Sequence, residues 1–502
     1  METLWLDKGG NRMNQVVTKY GIVRGIPDEK RKTVLYAGIP YAAPPVGELR
    51  WRAPAAPLPW KGVLDCTGFR ASSLQKVMPI PSSAFPCYGQ EYFLTKNDSQ
   101  SEDCLYLNIW VPADAEAGRK LPVIMILCGG GYAYGSGSIP VISGRNLAGK
   151  GVIVVTVNYR LGVLGFLAHP ELSKESAEGV SGNYGILDQI AALGWIRENI
   201  ADFGGDSDNI TLAGESAGAF SVSVLCCSQL SGGMFHKAVA QSGTRISVST
   251  KGEVSLAEAE TFGVELAKKF DASSIKELRE RPAVDFIGIR GPMRYVLDGY
   301  VLPGCGEKIR ILQDIPVLIG SNSDEGKTFY RSEINREILE KELKERYGTH
   351  YALIKKIYPD GYSDIAEAGY AEYRDSRAEF PMLSWATIHT ENCKAPAYLY
   401  YFDRAVPGQD FGAFHSANLQ YFYGNLDCNE KIPWEQTDYV LSEAMMNYLV
   451  NFMYTGNPNG TGLPEWRKFE AARAEIMELG DHLGMIEHPH REAMEALETV
   501  FG

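Results

Sequence analysis

A single serine, Ser216, stands in the stretch LAGESAGAF with Gly214 two residues before it and Gly218 two residues after it. The preceding NITL is apolar and rich in β-formers, and the following AFSVSVLCC is a compact apolar run, so together they predict a strand, a sharp turn and a buried helix. Such a turn needs small residues because larger side chains would collide. It lifts the serine hydroxyl off the sheet edge, above the free N–H groups of the helix N-terminus. The alternative is an ordinary glycine-rich turn.

Composition excludes several classes of partner. The 502 residues include 49 basic and 62 acidic side chains, and the net charge of −13 argues against a nucleic-acid partner or an anionic lipid surface. No apolar run approaches the roughly 20 residues that span a bilayer, so we expect no membrane span. The N-terminal METLWLDKGGNRMNQ lacks the pattern of a signal peptide. Nine cysteines without a C-x-x-C pair predict buried free thiols in a reducing compartment, and hence a cytoplasmic location.

The first half of the chain alternates apolar, β-rich runs with helical patterns. Three runs are too continuously apolar for half-exposed strands and predict a mostly parallel sheet covered on both faces: LPVIMIL, VIVVTVNY and NITLAG. The later runs KAVAQSG, IPVLIGS and PAYLYYFD continue this sheet. Between the second and third runs, YGILDQIAALGWIRENIADF has the period of a helix. We therefore expect an α/β fold in a single domain, residues 1–502, with helical insertions over roughly 250–292 and 331–395.

A serine hydroxyl becomes a good nucleophile only when a base takes its proton, and that base needs an orienting acid. After a serine turn of this kind, the acid ends a later strand and the histidine comes last. IPVLIGS is followed by Asp324 and Glu325, and spacing alone leaves the choice between them open. His415 follows a predicted strand and a loop, where the base is expected; the alternative is a structural histidine that caps a helix. The other histidines beyond Glu325 lie in charged or helical stretches (His350, His389) or in a polar C-terminal region where we expect them to be solvated (His482, His488, His490).

A glycine-rich loop is the candidate for binding an oxyanion. CGGGYAYGSGS follows the strand-like VIMIL, and Gly129 to Gly131 let the backbone come close because they carry no Cβ. A phosphate cradle is the rival interpretation, but the chain has neither G-x-x-x-x-G-K-[ST] nor a G-x-G-x-x-G that opens a helix. A bare tight turn is the other alternative. Since the sequence also lacks H-E-x-x-H and any Cys/His cluster at zinc spacing, we expect no metal and no organic cofactor.

Taken together, these motifs resemble the type B carboxylesterase (cholinesterase-like) family of α/β hydrolases. FGGDSDNITLAGESAG resembles the serine signature of that family, and EDCLYLNIWVP resembles its second signature. Matching stretches run nearly from end to end and include YAGIPYAAPPVGELRWRAP, VNYRLGVLGFL, SNSDEG and GAFHSANLQYFYG. The resemblance implies the α/β-hydrolase fold. It also implies a serine carboxylesterase that hydrolyses a small-molecule ester through an acyl-enzyme intermediate.

By position, the resemblance assigns a role to each candidate residue. It implies Ser216 as the nucleophile, Glu325 as the acid and His415 as the general base, and the family preference for Glu in DEG settles the choice against Asp324. It implies further roles for an oxyanion hole (Gly130, Gly131, Ala217), for polar groups that support the triad (Glu215, Ser242) and for the acyl side of the pocket (Tyr132). A purely structural role stays open for Glu215, and ordinary packing stays open for Tyr132.

The chain departs from the family pattern at three places. Cys128 stands where many relatives have histidine, but an oxyanion hole made of backbone N–H groups should survive that change. Cys104 has only Cys66 or Cys87 upstream as a disulfide partner, and neither lies where the family's partner does, which puts the bridge in doubt. Asn418 replaces a usual acid and is expected to alter the hydrogen bonding under the histidine. The absence of tryptophan between Cys66 and Cys104 argues against a choline ester.

Two alternative functions follow from the same residues. One is a specialised esterase for aromatic acyl (feruloyl-type) esters, or an amidase, that uses the same triad. The other is a non-catalytic adhesion or scaffold protein on this fold, which is disfavoured because all three triad candidates are present. The sequence does not indicate an oligomeric state.

Overall fold

The computed structural model describes residues 14–83, 85–249, 253–289, 291–292, 294–302, 310–329, 334–473 and 475–502. The strands are β1 (Gln15–Thr18), β2 (Gly21–Arg24), β3 (Ile26–Asp28), β4 (Thr33–Pro40), β5 (Val63–Asp65), β6 (Ser72–Ser73), β7 (Gln100–Ser101), β8 (Tyr106–Pro112), β9 (Leu121–Leu127), β10 (Ile153–Val157), β11 (Gly205–Glu215), β12 (Lys237–Gln241), β13 (Val254–Ser255), β14 (Val296–Leu297), β15 (Val317–Asn322), β16 (Ala397–Phe402), β17 (Glu475–Leu479) and β18 (Leu483–Glu487).

The α-helices are α1 (Arg145–Ala148), α2 (Gly162–Phe166), α3 (Pro170–Glu175), α4 (Tyr184–Asn199), α5 (Ala217–Cys227), α6 (Leu256–Lys269), α7 (Ile275–Arg279), α8 (Glu325–Thr328), α9 (Arg336–Tyr347), α10 (Tyr351–Ile357), α11 (Ile365–Arg374), α12 (Phe380–Asn392), α13 (Asn418–Phe422), α14 (Gln436–Thr455) and α15 (Arg491–Phe501). A π-helical turn, Asp375–Glu379, joins α11 to α12. Within the described ranges, no helix is both long enough and apolar enough to cross a membrane.

The chain divides into two compact units. The first consists of Met1–Met78, Gln90–Lys237 and Gly252–Gln313, and the second consists of Pro79–Gly89, Ala238–Lys251 and Asp314–Gly502. The single domain expected from the sequence stays a prediction.

In the first unit, six strands pair in the order β11-β9-β10-β8-β4-β3. β9 is parallel to both β10 and β11, whereas β8, β4 and β3 pair antiparallel. Every residue of β9 and β10 is buried, which is why their sequences show no polar alternation. The three strands predicted from apolar runs are confirmed, and β11 begins at Gly205, earlier than predicted. The predicted helix is α4, which buries Ile186, Leu193 and Ile196.

In the second unit, five strands pair in the order β18-β17-β16-β15-β12. β12, β15, β16 and β17 are parallel, and β18 is antiparallel at the edge. The register aligns Ala238, Val317 and Ala397 across three neighbouring strands. These are the strands predicted from KAVAQSG, IPVLIGS and PAYLYYFD, and the prediction is confirmed. Because all are parallel, their carboxyl ends lie at one edge, where the loops that follow β12, β15 and β16 begin.

Helices fill the two segments expected to be helical insertions. α6 and α7 lie in the first unit, where Leu266 and Ile275 pack in one apolar cluster with Trp51 and Phe286. α9 to α12 lie in the second unit, and the apolar faces of α9 and α10 cluster with Met494 of α15.

Candidate active site

The serine turn joins β11 to α5 in the first unit. Ser216 lies between the two elements with φ 53° and ψ −122°, and it is half-buried. A Cβ on Gly218 would lie 2.1 Å from the carbonyl oxygen of Leu127 in β9, so the first turn of the helix packs directly on the neighbouring strand. A Cβ on Gly214 would lie 2.4 Å from the backbone of Gly218. The predicted order of strand, sharp turn and helix is confirmed, and steric contact explains both glycines.

The glycine loop, residues 128–138, follows β9 and lies against the serine turn. A Cβ on Gly129 would lie 2.6 Å from Glu215 Oε2 and 3.2 Å from Ser216 Cβ, and only glycine allows this approach. Gly130 and Gly131 have φ of 105° and 63°, in the region that favours glycine. The loop is thus in contact with the serine turn.

Three backbone donors around this turn are available to a ligand. The N–H groups of Gly130, Gly131 and Ala217 make no hydrogen bond to any residue that the structure describes. Ala217 is the first residue of α5, where backbone N–H groups have no intrahelical partner. Free N–H groups of this kind are the donors that an oxyanion needs.

The second unit contains an acid–base pair. His415 Nδ1 donates a hydrogen bond to Glu325 Oε2. Both side chains are buried, at 8% and 1% exposure, so solvent does not screen this contact. Glu325 opens α8 directly after β15, and His415 follows the loop after β16. A carboxylate on Nδ1 fixes the histidine tautomer and leaves Nε2 as the basic nitrogen.

Asp324, the other carboxylate of the pair that spacing left open, has different partners. Its oxygens accept from Lys327 Nζ at 2.9 Å, from Ser323 Oγ at 2.7 Å and from the Ala413 N–H at 3.0 Å. Burial alone would raise the pKa of Asp324, but these partners together lower it. Of the two carboxylates, Glu325 is the one paired with His415.

Two further residues support the acid–base pair and were not identified from the sequence. The Asn322 N–H donates to Glu325 Oε1 at 2.9 Å, and the Asn322 side chain donates to the carbonyl of Phe414 at 2.8 Å. Thr328 Oγ1 accepts the His415 N–H at 2.9 Å. In the sequence, the only indication of their role was that Asn322 lies in SNSDEG and Thr328 lies just after it. Their contacts could not be read from the sequence, because they join segments about 90 residues apart.

Asn418, the departure from the family's acid, is fully buried in an amide network. Its Nδ2 donates to Tyr400 Oη at 3.0 Å and its Oδ1 accepts from Asn322 Nδ2 at 3.3 Å. Gln241 Oε1 lies 3.5 Å from the same Nδ2. These bonds form a neutral network that links α13 to β12, β15 and β16, and a change in hydrogen bonding relative to the family's acid stays a prediction.

The residues implied to support the triad or line the pocket are all buried. Glu215 contacts Gly129 as described above, and Ser242 has φ 57° with its N–H donated to Gly320 O at 2.8 Å. Tyr132 packs 5.0 Å from the Phe166 ring, and its hydroxyl accepts from Ser221 Oγ at 3.2 Å. These contacts are those of a packed aromatic, and a place for Tyr132 in the pocket stays a prediction.

The cysteines described by the structure are free thiols. Burial raises the pKa of Cys104 to about 12, while a hydrogen bond with Ser73 acts in the opposite direction. A hydroxyl, and not a second cysteine, accompanies Cys104, so the doubt about the bridge was justified. Cys128 is also buried with a pKa raised to about 12, and its carbonyl accepts from Tyr159 Oη at 2.8 Å. The histidine-to-cysteine departure therefore leaves the start of the glycine loop held by its backbone.

The expectation of solvated C-terminal histidines was wrong for two of the three. His488 is buried, and its Nε2 lies 3.2 Å from Glu379 Oε1. His490 Nδ1 lies 3.0 Å from Glu379, whereas His482 is exposed as expected. The error arose because Glu379 lies more than 100 residues earlier, in the π-helical turn, and burial against it leaves no local pattern.

Arg374, Asp375, Glu379, Tyr401, His488 and His490 form what we call the histidine cluster. Among the described residues, this cluster contains a group of side chains that could hold a metal ion. Ligand atoms of Asp375, Glu379 and His490 lie within 4.8 Å of one another. The Arg374 guanidinium, however, already contacts Asp375 at 2.6 Å and Glu379 at 3.3 Å. An arginine in that position supplies the positive charge that two carboxylates need, so the cluster is an ion-pair network.

Comparison with known proteins gives the class and then the family. A solved PNB esterase superposes with a TM-score of 0.83 at 30% identity, covering 97% of this chain and 99% of that one. The chain therefore has the α/β-hydrolase fold, with a serine turn where this class carries its nucleophile. The profile of the carboxylesterase family matches residues 12–497, and the chain belongs to that family.

Relatives of known activity are similar over most of their length. A fumonisin B1 esterase from Sphingopyxis macrogoltabida is 36% identical, covering 93% of this chain and 86% of that protein. A para-nitrobenzyl esterase from Bacillus subtilis (strain 168) is 33% identical, covering 96% and 98%. An acylcarnitine hydrolase from Mus musculus is 32% identical, covering 88% and 82%. The chain is a serine carboxylesterase that hydrolyses carboxylic esters.

Proposed function

We propose that Ser216, Glu325 and His415 are the catalytic residues of this esterase, with the N–H groups of Gly130, Gly131 and Ala217 as the oxyanion hole. The observation that carries the proposal is the buried pair of Glu325 and His415 Nδ1. A histidine held in this way is oriented for base catalysis. The unusual backbone of Ser216, with φ 53°, supports its role as the nucleophile.

The proposed reaction has two halves. His415 Nε2 takes the Ser216 proton as Oγ attacks the ester carbonyl, and Glu325 stabilises the imidazolium that forms. The negative charge of the tetrahedral intermediate is bound by the three backbone donors. His415 then protonates the departing alcohol, which leaves an acyl-enzyme. Water, activated by the same histidine, releases the acid and restores the serine.

The substrate class we propose is a small-molecule carboxylic ester. The names of the relatives, which include esterases of fumonisin B1 and of para-nitrobenzyl esters and an acylcarnitine hydrolase, cover alcohols and acids of very different shape. They favour an ester over an amide but do not favour one acyl group. Hydrolysis measured across a panel of acyl-chain lengths and aromatic acyl esters separates a general esterase from the aromatic-acyl alternative, which predicts feruloyl-type esters as much the best substrates.

A reducing, cytoplasmic environment is a further part of the proposal. It is supported by the free thiols of the described cysteines and by burial that raises the pKa of Cys66 to about 12 and of Cys87 to about 11. Thiols of this kind need no oxidant or disulfide partner for the fold.

Substitution of the nucleophile tests the proposal directly. We expect Ser216→Ala to lower kcat for a p-nitrophenyl acyl ester by at least about 10⁴-fold, because the triad acts as one unit. Labelling by a fluorophosphonate should disappear with it. Ser223→Ala is the matched control, because Ser223 is a buried serine of α5, the helix that follows Ser216, and its hydroxyl donates to Phe220 O at 2.8 Å. Undiminished turnover in Ser216→Ala would refute the assignment.

A further inference from the structure

The glycine loop is fixed in the first unit by side chains from outside it. Asn158 Oδ1 accepts the Gly137 N–H at 2.8 Å, and Thr156 Oγ1 donates to Gly137 O at 2.6 Å. Asn108 Nδ2 reaches the same carbonyl at 3.2 Å. These three residues hold the end of the loop at Gly137, six positions beyond Gly131, the last of the three glycines next to the serine turn. Another residue must hold the part in between.

Gln75 holds that part through both ends of its amide. The Gly135 N–H donates to Gln75 Oε1 at 2.9 Å, and Gln75 Nε2 donates back to Gly135 O at 2.8 Å. The same Nε2 also donates to Ser73 O at 3.0 Å. Gln75 is only 6% exposed, so water does not compete for these bonds. A side-chain amide is the neutral group that offers a donor and an acceptor side by side, which this pairing requires.

Gly135 in turn packs against Gly129, which contacts Ser216, the proposed nucleophile. A Cβ on Gly135 would lie 2.5 Å from the carbonyl oxygen of Gly129, and Gly129 packs on Glu215 and Ser216. Between them, Gly130 O accepts the N–H groups of Ala133 and Tyr134 at 3.1 and 3.0 Å, which closes a tight turn. Displacement of Gly135 therefore moves the turn that contains Gly130 and Gly131, two of the proposed oxyanion donors.

We propose that Gln75 is a positioning residue for the oxyanion hole, which it serves by holding Gly135 so that the N–H groups of Gly130 and Gly131 stay aimed at the developing oxyanion. This inference rests on the proposed function of those N–H groups. Gln75 touches no reacting atom in it. Its contribution is preorganisation, since donors that must reorient during the reaction stabilise the transition state less.

Gln75→Glu tests the inference with an almost isosteric change. The carboxylate still accepts the Gly135 N–H but cannot donate to Gly135 O or Ser73 O. We expect kcat for a p-nitrophenyl ester to fall about 10- to 100-fold, the usual effect of removing a group that orients catalytic residues, while KM changes much less. Gln75→Ala should also lower kcat more than it changes KM. Gln313→Glu is the matched control, because Gln313 is also 6% exposed and accepts a glycine N–H, that of Gly233, outside the glycine loop.

A second measurement separates positioning from a general effect on folding. A trifluoromethyl ketone forms an oxyanion with the active serine, whereas the matched methyl ketone resembles the ground state. We expect Gln75→Glu to weaken binding of the trifluoromethyl ketone by about the same factor by which it lowers kcat. The affinity for the methyl ketone should change by less than about threefold. The inference would be overturned if Gln75→Glu weakened the binding of both ketones equally, or if its kcat equalled that of Gln313→Glu. Failure of fluorophosphonate to label Ser216 in the unmodified chain would instead overturn the proposed function itself.

Discussion

Asp324 and Glu325 are adjacent carboxylates with opposite surroundings. Asp324 is satisfied by a lysine, a hydroxyl and a backbone N–H, and its pKa is lowered by them. Glu325 points instead to His415 and is further held by the Asn322 N–H. At the scale of one residue, the partner and not the residue type decides which carboxylate can orient a base and which stabilises a loop.

This difference predicts opposite outcomes for two matched substitutions. Glu325→Gln should lower kcat by about 10⁴-fold with the fold intact, since a neutral amide no longer stabilises the imidazolium of His415. Asp324→Asn should keep kcat within about threefold but modestly lower the free energy of unfolding, because a partly exposed ion pair with Lys327 and a charged acceptor for the Ala413 N–H are lost. Steady-state kinetics and urea unfolding of both variants measure this. Equal losses of kcat would show that the two carboxylates share the role.

At the scale of the element, the serine turn depends on how closely α5 approaches β9. Gly218 packs against Leu127 at the parallel strand next to β11, and the loop from the end of β9 returns to the same turn. One close contact between a helix and a strand thus sets the position of Ser216, the proposed nucleophile, relative to the glycine loop.

Gly218→Ala should therefore disturb both stability and catalysis. The new Cβ would lie 2.1 Å from Leu127 O, so helix and strand must separate. We expect the free energy of unfolding to fall by about 1–3 kcal/mol and kcat to fall with it. Gly194→Ala is the matched control: Gly194 lies inside α4, and its Cβ would meet only Met234 Cε at 3.8 Å. That variant should be more stable by about 0.5–1 kcal/mol, because alanine favours the helix. Similar urea midpoints for both variants would contradict the argument.

The elements were predictable to different degrees. The buried strands β9, β10, β12, β15 and β16 were predicted because unbroken apolar runs are distinctive, and α4 because its period is regular. Strands of two or three residues, such as β6 and β13, have no periodicity to detect. The serine turn and the glycine loop follow from local glycines. Gln75, Asn322 and the buried His488 could not be predicted, since their partners lie far along the chain and only the folded structure brings them together.

At the scale of the molecule, we expect the histidine cluster to make the second unit sensitive to acid. The cluster consists of titratable groups from α11, the π-helical turn, β16 and the C-terminal segment, namely Arg374, Asp375, Glu379, Tyr401, His488 and His490. Burial would raise the pKa of Glu379, but the hydrogen bond from His490 and the neighbouring positive charges lower it to about 2. Burial lowers the pKa of His488 and raises that of Asp375.

The signs of these shifts predict how stability depends on pH. His488 resists protonation when folded, so the folded state loses stability as the pH falls below the ordinary histidine value of 6.5. Glu379 adds a further loss between its ordinary value of 4.5 and about 2, which Asp375 partly offsets. His488→Gln should therefore flatten the decline in unfolding free energy between pH 7 and 5. His482→Gln, at an exposed histidine, is the control. Urea unfolding at several pH values measures this, and parallel declines in both variants would contradict the prediction.

The backbone of Ser216 has a consequence that extends beyond the reaction. A residue with φ 53° and ψ −122° costs on the order of 1–3 kcal/mol relative to a relaxed conformation. That cost is present in every folded molecule, whether or not a substrate is bound. Selection for stability alone would relax such a bend, so its presence is what a role of Ser216 in turnover predicts. On the proposed assignment of Ser216 as the nucleophile, this cost in stability is located at the hydroxyl on which the chemistry depends.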